Sequence, residues 1–264
     1  MTIALGMLIP GTRDFVMAAD TQETYSDAKI EGTKLMTARI VSLTSEPLGC
    51  VAFTGAGSAG YLDALWQYIQ EAFLEFDDLI GPLLRAEFEK AILRFYRRHV
   101  IPFGEAWARS EQLPVSALIA YQRGPKGHGL FSNTLTAVKE TGSTAVGTGQ
   151  VVALSLLHRL RQPNMSTESA LRLAAYAVFQ AKEHDPYCGK RTQLVLLSGN
   201  QQQTVDPAII EGWEDTFREI GRRDTASTAI GLGIQDPSDG VTQLIQQGKF
   251  VPSGVKPFLE PPKE

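Results

Sequence analysis

Cysteine is scarce in this sequence. Cys50 and Cys188 are the two it has, and they lie far apart in the chain. That argues against a disulfide framework and for a reducing, cytoplasmic setting. An excess of charge of one sign is missing too. Lys and Arg number 25 against 29 Asp and Glu, a net charge of -4, so there is no basic footprint for nucleic acid, and the balance speaks mainly for solubility. Long apolar runs are absent: none approaches the roughly 20 residues that span a bilayer. The opening residues 1–10 are apolar but short, without the basic flank or small-residue cleavage site of a targeting segment. The four histidines, His99, His128, His158 and His184, show no ligand spacing, so neither a metal nor another cofactor is expected.

What remains is ordinary globular composition, 43% apolar and 20% charged over 264 residues, enough for one large domain or two small ones. Strand-like stretches at 2–9 and 15–20 flank the turn residues Pro10-Gly11-Thr12-Arg13-Asp14, and stretches at 35–43 and 48–55 flank Thr44-Ser45-Glu46-Pro47, the pattern of two hairpins. After Gly57-Ser58-Ala59-Gly60 the period changes. Leu62, Leu65, Trp66, Ile69, Phe73 and Phe76 make one helical stripe. A second helix starts near Pro82 and ends in the cationic run Arg94 to His99, which suits a helix C-terminus better than a nucleic-acid patch. Strands are predicted at 115–121, 130–132, 134–138 and 143–146, then two helices, the second capped by Ser166 with Glu168 in its first turn. A last strand falls at 192–197. Strands, two helices, strands, two helices and a strand predict two packed antiparallel sheets between helical layers, a four-layer αββα sandwich, over 1–200. A C-terminal extension, 201–264, reads as a helix near 207–219 and then a Gly-, Pro- and Gln-rich tail.

Thr2 alone is an ordinary second residue. If Met1 is removed, however, it carries an α-amino group with an unperturbed pKa of about 7.7–8.0, and a threonine activated by its own terminal amine is an established route to a covalent nucleophile. Asp20 ends an apolar strand, where a surface acid is an unexpected terminator, and Lys34 opens the next one. Paired, Asp20 would hold Lys34 charged, and Lys34 could lower the pKa of the Thr2 hydroxyl. The glycine run from Gly55 to Gly60 lacks the spacing and the βαβ setting of a dinucleotide loop.

The run from Thr2-Ile3-Ala4 through Ala18-Ala19-Asp20 to Lys34-Leu35 resembles the opening of proteasome β subunits, which are N-terminal-nucleophile (Ntn) hydrolases. Phe53-Thr54-Gly55-Ala56-Gly57 is similar to that family's glycine-bearing turn, Gly147-Thr148-Gly149 to its Gly-Ser-Gly turn, and Asp185-Pro186-Tyr187-Cys188-Gly189 to its Asp-x-x-Ser-Gly segment. The resemblance implies a threonine peptidase acting on peptide or unfolded protein. In it Thr2 is nucleophile and base, Lys34 and Asp20 tune the hydroxyl, and the Gly55 N–H serves an oxyanion hole. Thr148, Asp185 and Cys188 would orient the terminal amine. Thr148 keeps the family's hydroxyl, whereas Cys188 replaces a serine with a weaker hydrogen-bond partner and would add redox sensitivity. Thr24 matches a position that binds substrate backbone in β-strand fashion. Glu23, Met36, Phe53 and Tyr61 would line the specificity pocket, the apolar three favouring apolar side chains and Glu23 a basic one. Met36 and Phe53 read equally well as interface packing.

The resemblance also implies a homo-oligomeric ring and allows an ATP-dependent unfoldase partner, for which no residue here argues. The extra N-terminal helix of α-type ring subunits is missing. Two other functions compete: a non-catalytic ring or scaffold subunit, which would not need Thr2, Asp20 and Lys34 together, and an Ntn amidohydrolase of small amides.

Overall fold

The computed structural model describes residues 2–25, 28–41, 47–75, 81–103, 115–124, 127–134 and 137–231. The expected tail over 237–264 and the turn residues 44–46 lie outside them. Contacts divide the chain into two compact units, Met1–Trp213 and Glu214–Glu264. Among the described residues, the first holds every strand.

One sheet joins β1 (Ile3–Leu8), β2 (Phe15–Asp20), β10 (Ser143–Gly147), β11 (Thr192–Ser198) and β12 (Gln201–Thr204) in the order β10-β1-β2-β11-β12. The other runs in sequence order through β5 (Met36–Val41), β6 (Pro47–Gly57), β7 (Val115–Gln122), β8 (His128–Thr134) and β9 (Ala137–Glu140). All pairings are antiparallel. A separate hairpin, β3 (Gln22–Tyr25) with β4 (Ala28–Glu31), leaves the end of β2. Its four-residue strands are too short for a periodic signal and were not visible in the sequence, nor was β12.

The two-residue period of the strands divides the core into layers. Ala4, Phe15, Met17 and Ala19 of the first sheet meet Cys50, Ala52, Ala56, Leu118, Ala120 and Leu130 of the second. On the opposite face of the second sheet, Val51, Phe53, Ile119, Tyr121 and Phe131 meet the stripe predicted from the sequence. Leu62, Leu65, Ile69 and Phe73 come from α1 (Ala59–Glu75), and Leu84, Phe88, Ala91, Ile92 and Phe95 from α2 (Gly81–Phe95). The chain continues past Phe95 as a π-helical turn, Tyr96–Val100. The first sheet's outer face is covered by α3 (Gln150–Leu160) and α4 (Thr167–His184), which pack on β10, β1, β2 and β11. Because both faces are covered, Leu5, Val16 and Ala18 are as buried as their inward neighbours. This is the αββα sandwich.

Ser166 caps α4 through a 3.1 Å bond that its hydroxyl accepts from the Ser169 N–H. The helix α5 spans Pro207–Gly231. Among the described residues, no helix is long and apolar enough to cross a membrane.

Phe88 packs edge-on to both Tyr121 and Phe131 at ring separations of 6.3 and 6.1 Å and is fully buried. Phe88→Ala is therefore expected to cost about 3–5 kcal/mol, measured as a fall in the urea midpoint with an unchanged slope.

Candidate active site

Thr2 immediately precedes β1 and is 2% exposed. Burial of so polar a residue requires partners, and the strand ends around it supply them. Asp20, at the C-terminal end of β2, is fully buried. Its Oδ1 accepts from the Thr2 hydroxyl, from the Ile3 N–H at 3.1 Å and from Lys34 Nζ at 3.0 Å. Its Oδ2 accepts from the Gly189 N–H at 2.9 Å. Lys34 Nζ also donates to Thr2 Oγ at 2.5 Å and to the Gln22 carbonyl. The ammonium is thus held by a carboxylate, a carbonyl and the candidate nucleophile, with its side chain 6% exposed. The arrangement leaves Thr2 Oγ between a proton donor and a proton acceptor.

Two further contacts hold Lys34 in place. The Gln193 Oε1 atom accepts from the Lys34 N–H at 3.0 Å and from the Leu35 N–H at 3.3 Å, fixing the start of the segment by a reach across from β11. Gln193 escaped sequence reasoning. Its one signal is an amide interrupting the apolar run of β11. The Gln22 carbonyl and the Gly189 N–H escaped as well, because backbone groups leave no signature in residue type.

The other segments close around the nucleophile by close approach. Gly147 pairs with Ile3 and has φ +102°. A Cβ there would overlap the Thr2 carbonyl and stand 3.2 Å from the Ala56 Cβ. Glycine is required at this position on both counts. The same neighbourhood brings Ala56 of β6 close to the Thr2 carbonyl across Gly147. A Cβ on Gly55 would fall 2.6 Å from the Ser116 carbonyl. At Gly149, which precedes α3, a Cβ would fall 2.8 Å from Ala181 Cβ, 3.0 Å from Cys188 Sγ and 3.2 Å from Ile3 Cβ. The Gly147-Thr148-Gly149 turn is thereby pressed against both β1 and the loop after α4.

That loop holds Asp185, Cys188 and Gly189. Asp185 caps α4, and its Oδ1 accepts from the Tyr187 N–H at 2.9 Å. Cys188 is buried, with Sγ 3.6 Å from Asp185 Oδ2 and 3.8 Å from Thr148 Oγ. The three residues expected to orient the amine are therefore one connected chain of contacts. Burial first, then the negative charge of Asp20, pushes the Cys188 thiol up to about 12; the Thr148 hydrogen bond pulls the other way, and the charge and hydrogen bond of Asp185 add smaller raises. The thiolate is the reactive form, so this environment works against the redox sensitivity expected from the substitution.

The expected pocket residues separate. Glu23 is half-buried beside Gly32, where a Cβ would overlap its carboxyl group. Phe53 is fully buried, its ring 5.7 Å from that of Trp66, in the core facing α1 and α2. Met36, directly opposite Phe53 across the β5–β6 pair, and Tyr61 pack partly buried against the same core. Thr24 pairs with Lys29 in the β3–β4 hairpin, and its side chain lies outside the described set. Among the described residues, no group of three or more His, Cys, Asp or Glu side chains could hold a metal ion.

A two-sheet sandwich between helical layers, with a buried threonine at the head of its first strand, defines the Ntn-hydrolase class of fold. The family model for proteasome subunits matches residues 106–197. The chain is 37% identical over 78 residues to proteasome subunit beta 2 of Pyrobaculum neutrophilum, covering 30% of this chain and 37% of that protein. It is 30% identical over 93 residues to proteasome subunit beta type-5 of Gallus gallus, covering 35% and 36%. The matched segment thus spans about a third of the length of these curated relatives. Among solved structures, the helical assembly of the Anbu complex from Pseudomonas aeruginosa superposes with a TM-score of 0.62 at 15% identity, covering 90% of this chain and 99% of that one. Over residues 106–197 the chain is thus similar to proteasome subunits, and its fold is the two-sheet Ntn-hydrolase fold shared with the Anbu structure.

The environment of Cys188 has a direct consequence. Its folded pKa lies above the thiol's ordinary value of 9.0, so its contribution to stability is complete below pH 9 and is lost as pH rises toward 12. At neutral pH iodoacetamide should leave Cys188 unmodified in the native protein and alkylate it in urea, as read by peptide mass mapping.

Proposed function

We propose that the protein is a threonine-type peptidase whose nucleophile is the Thr2 hydroxyl, exposed to chemistry once Met1 has been removed. Kinship with proteasome β subunits supports a threonine-type, Ntn-protease-like function at the level of the family. The observation that carries the finer reading is the convergence of Lys34 Nζ, at 2.5 Å, and the Asp20 carboxylate on the one hydroxyl. Burying the Lys34–Asp20 pair is costly and repaid only in good geometry, and aiming the ammonium at a threonine hydroxyl adds a contact that a tie between strands does not need.

In this reading the Thr2 α-amine takes the hydroxyl proton as Oγ attacks the scissile carbonyl, forming a C–O bond. Lys34 stabilises the developing alkoxide as an adjacent cation, and Asp20 compensates the lysine charge. Backbone N–H groups at Gly55 would receive the oxyanion, a kind of contact worth about 3–4 kcal/mol of barrier. Collapse breaks the C–N bond, and the departing amine carries off the proton held by the Thr2 amine. Water then hydrolyses the ester and restores Oγ–H. The chain Thr148–Cys188–Asp185 orients the amine, and Glu23 with Met36 and Tyr61 borders the substrate side chain. Self-assembly into a ring or a helical array belongs to the same proposal, by analogy with the assembled relatives. Unfolded protein delivered by an ATP-dependent unfoldase enters only through the family resemblance.

Short fluorogenic peptides test the reading. Turnover is expected in protein lacking Met1, with kcat/KM rising as pH passes about 7.7–8.0, because the base must be deprotonated. Thr2→Ala and Lys34→Ala should each lower it by at least about a hundredfold, the low end of what positioned proton transfer contributes. Full activity in Thr2→Ala contradicts the assignment.

A further inference from the structure

At the end of β1 remote from Thr2, the β1–β2 turn, the start of β10 and the C-terminal end of α3 line an open surface cavity of about 380 Å³. Thr2 lies six residues back along an extended strand, about 20 Å away, so the cavity is separate from the candidate active site. Its volume falls within the range of small-molecule sites, about 300–1,000 Å³.

The walls differ in chemistry. Pro10, Leu157 and Pro163 are apolar, whereas Ser143, His158, Arg161 and Gln162 present a hydroxyl, an imidazole, a guanidinium and an amide. Among the described lining residues none is Asp or Glu. Arg161 is the fixed element of the polar wall. Its Nη2 donates to the Leu8 carbonyl at 3.0 Å, pinning the guanidinium to the end of β1. Its Nε is buried away from solvent, so a ligand in the cavity meets only the terminal nitrogens. A guanidinium is always charged and all its nitrogens are donors, and the bond to Leu8 uses one N–H of Nη2. The end of the guanidinium fork matches a planar carboxylate, and an acceptor of that kind would take up the terminal donors that the Leu8 carbonyl leaves. The cationic wall also offsets the partial negative charge at the C-terminal pole of α3.

We propose that this cavity binds a small organic carboxylate carrying an apolar body, with the carboxylate on Arg161 and the body against Pro10, Leu157 and Pro163. Ser143 and Gln162 donate to the same oxygens, and His158 closes the exposed side. The site does not depend on the peptidase reading, since no residue is shared with it.

Calorimetric titration of the Thr2→Ala protein tests the site with the hydrolytic nucleophile removed. The probes are N-acetyl-leucine, its neutral amide and inorganic phosphate. Saturable binding of N-acetyl-leucine is expected, with the amide and phosphate each at least about tenfold weaker. Arg161→Gln should weaken it about tenfold or more. Because that variant also loses the Leu8 contact, His158→Glu is measured beside it. It leaves the Arg161 anchor intact, places a negative charge on the exposed wall, and should weaken the carboxylate by a comparable factor. No saturable binding, equal binding of the amide, phosphate binding as tight as the carboxylate, or indifference to both variants overturns the proposal.

Discussion

The buried ion pair between Asp20 and Lys34 is the constraint around which the rest of the first unit is arranged. A carboxylate and an ammonium 3.0 Å apart at 0% and 6% side-chain exposure are stable only if their remaining hydrogen-bonding capacity is filled. Each remaining demand is met by a different part of the chain. Asp20 draws in the Ile3 and Gly189 N–H groups, Lys34 the Gln22 carbonyl, and both meet at the Thr2 hydroxyl. The head of β1, the end of β2, the start of the hairpin, the approach to β5 and the loop after α4 are therefore tied at one point. Removing either charge would leave the other buried and unpaired, at a cost of about 3–5 kcal/mol. Chemistry and stability share the same atoms.

The sandwich supplies what such a pair needs. Two sheets covered on their outer faces by helices keep water from the strand ends, and the glycines let backbones approach where side chains would collide. Gly147 shows the tolerance: its φ of +102° and the overlap that any Cβ would make with Thr2 leave no alternative residue. Cys188 shows a different case, where packing is tight and the polar contact is weak. A thiol fits the space beside Asp185, but it makes a longer and weaker contact, and its burial keeps it protonated.

Much of this was legible in the sequence because it rests on period and on rare residue placements. The stripe through Leu62, Leu65, Ile69 and Phe73 declares a helix face, and Ser166 declares a cap. Asp20 and Lys34 stand out as charges bounding apolar strands. What could not be read is of another kind. The strands of β3, β4 and β12 are four residues long, below the length at which alternation can be recognised. The grip of Gln193 on the Lys34 backbone depends on two strands meeting in space. Phe53 and Met36 had two readings on the sequence, lining and packing. The fold buries the first completely and half-buries the second, a distinction set by α1 and α2 rather than by either residue.

The measurement that tests the central claim most directly is the mass of the protein purified from its native host, before and after exposure to a peptide carrying a β-lactone electrophile. The account predicts a chain lacking Met1 that gains one acyl group, mapped to Thr2, and gains none when Lys34 is replaced by alanine. A chain that keeps Met1, or an acyl group found on another residue with Thr2 free, would contradict it.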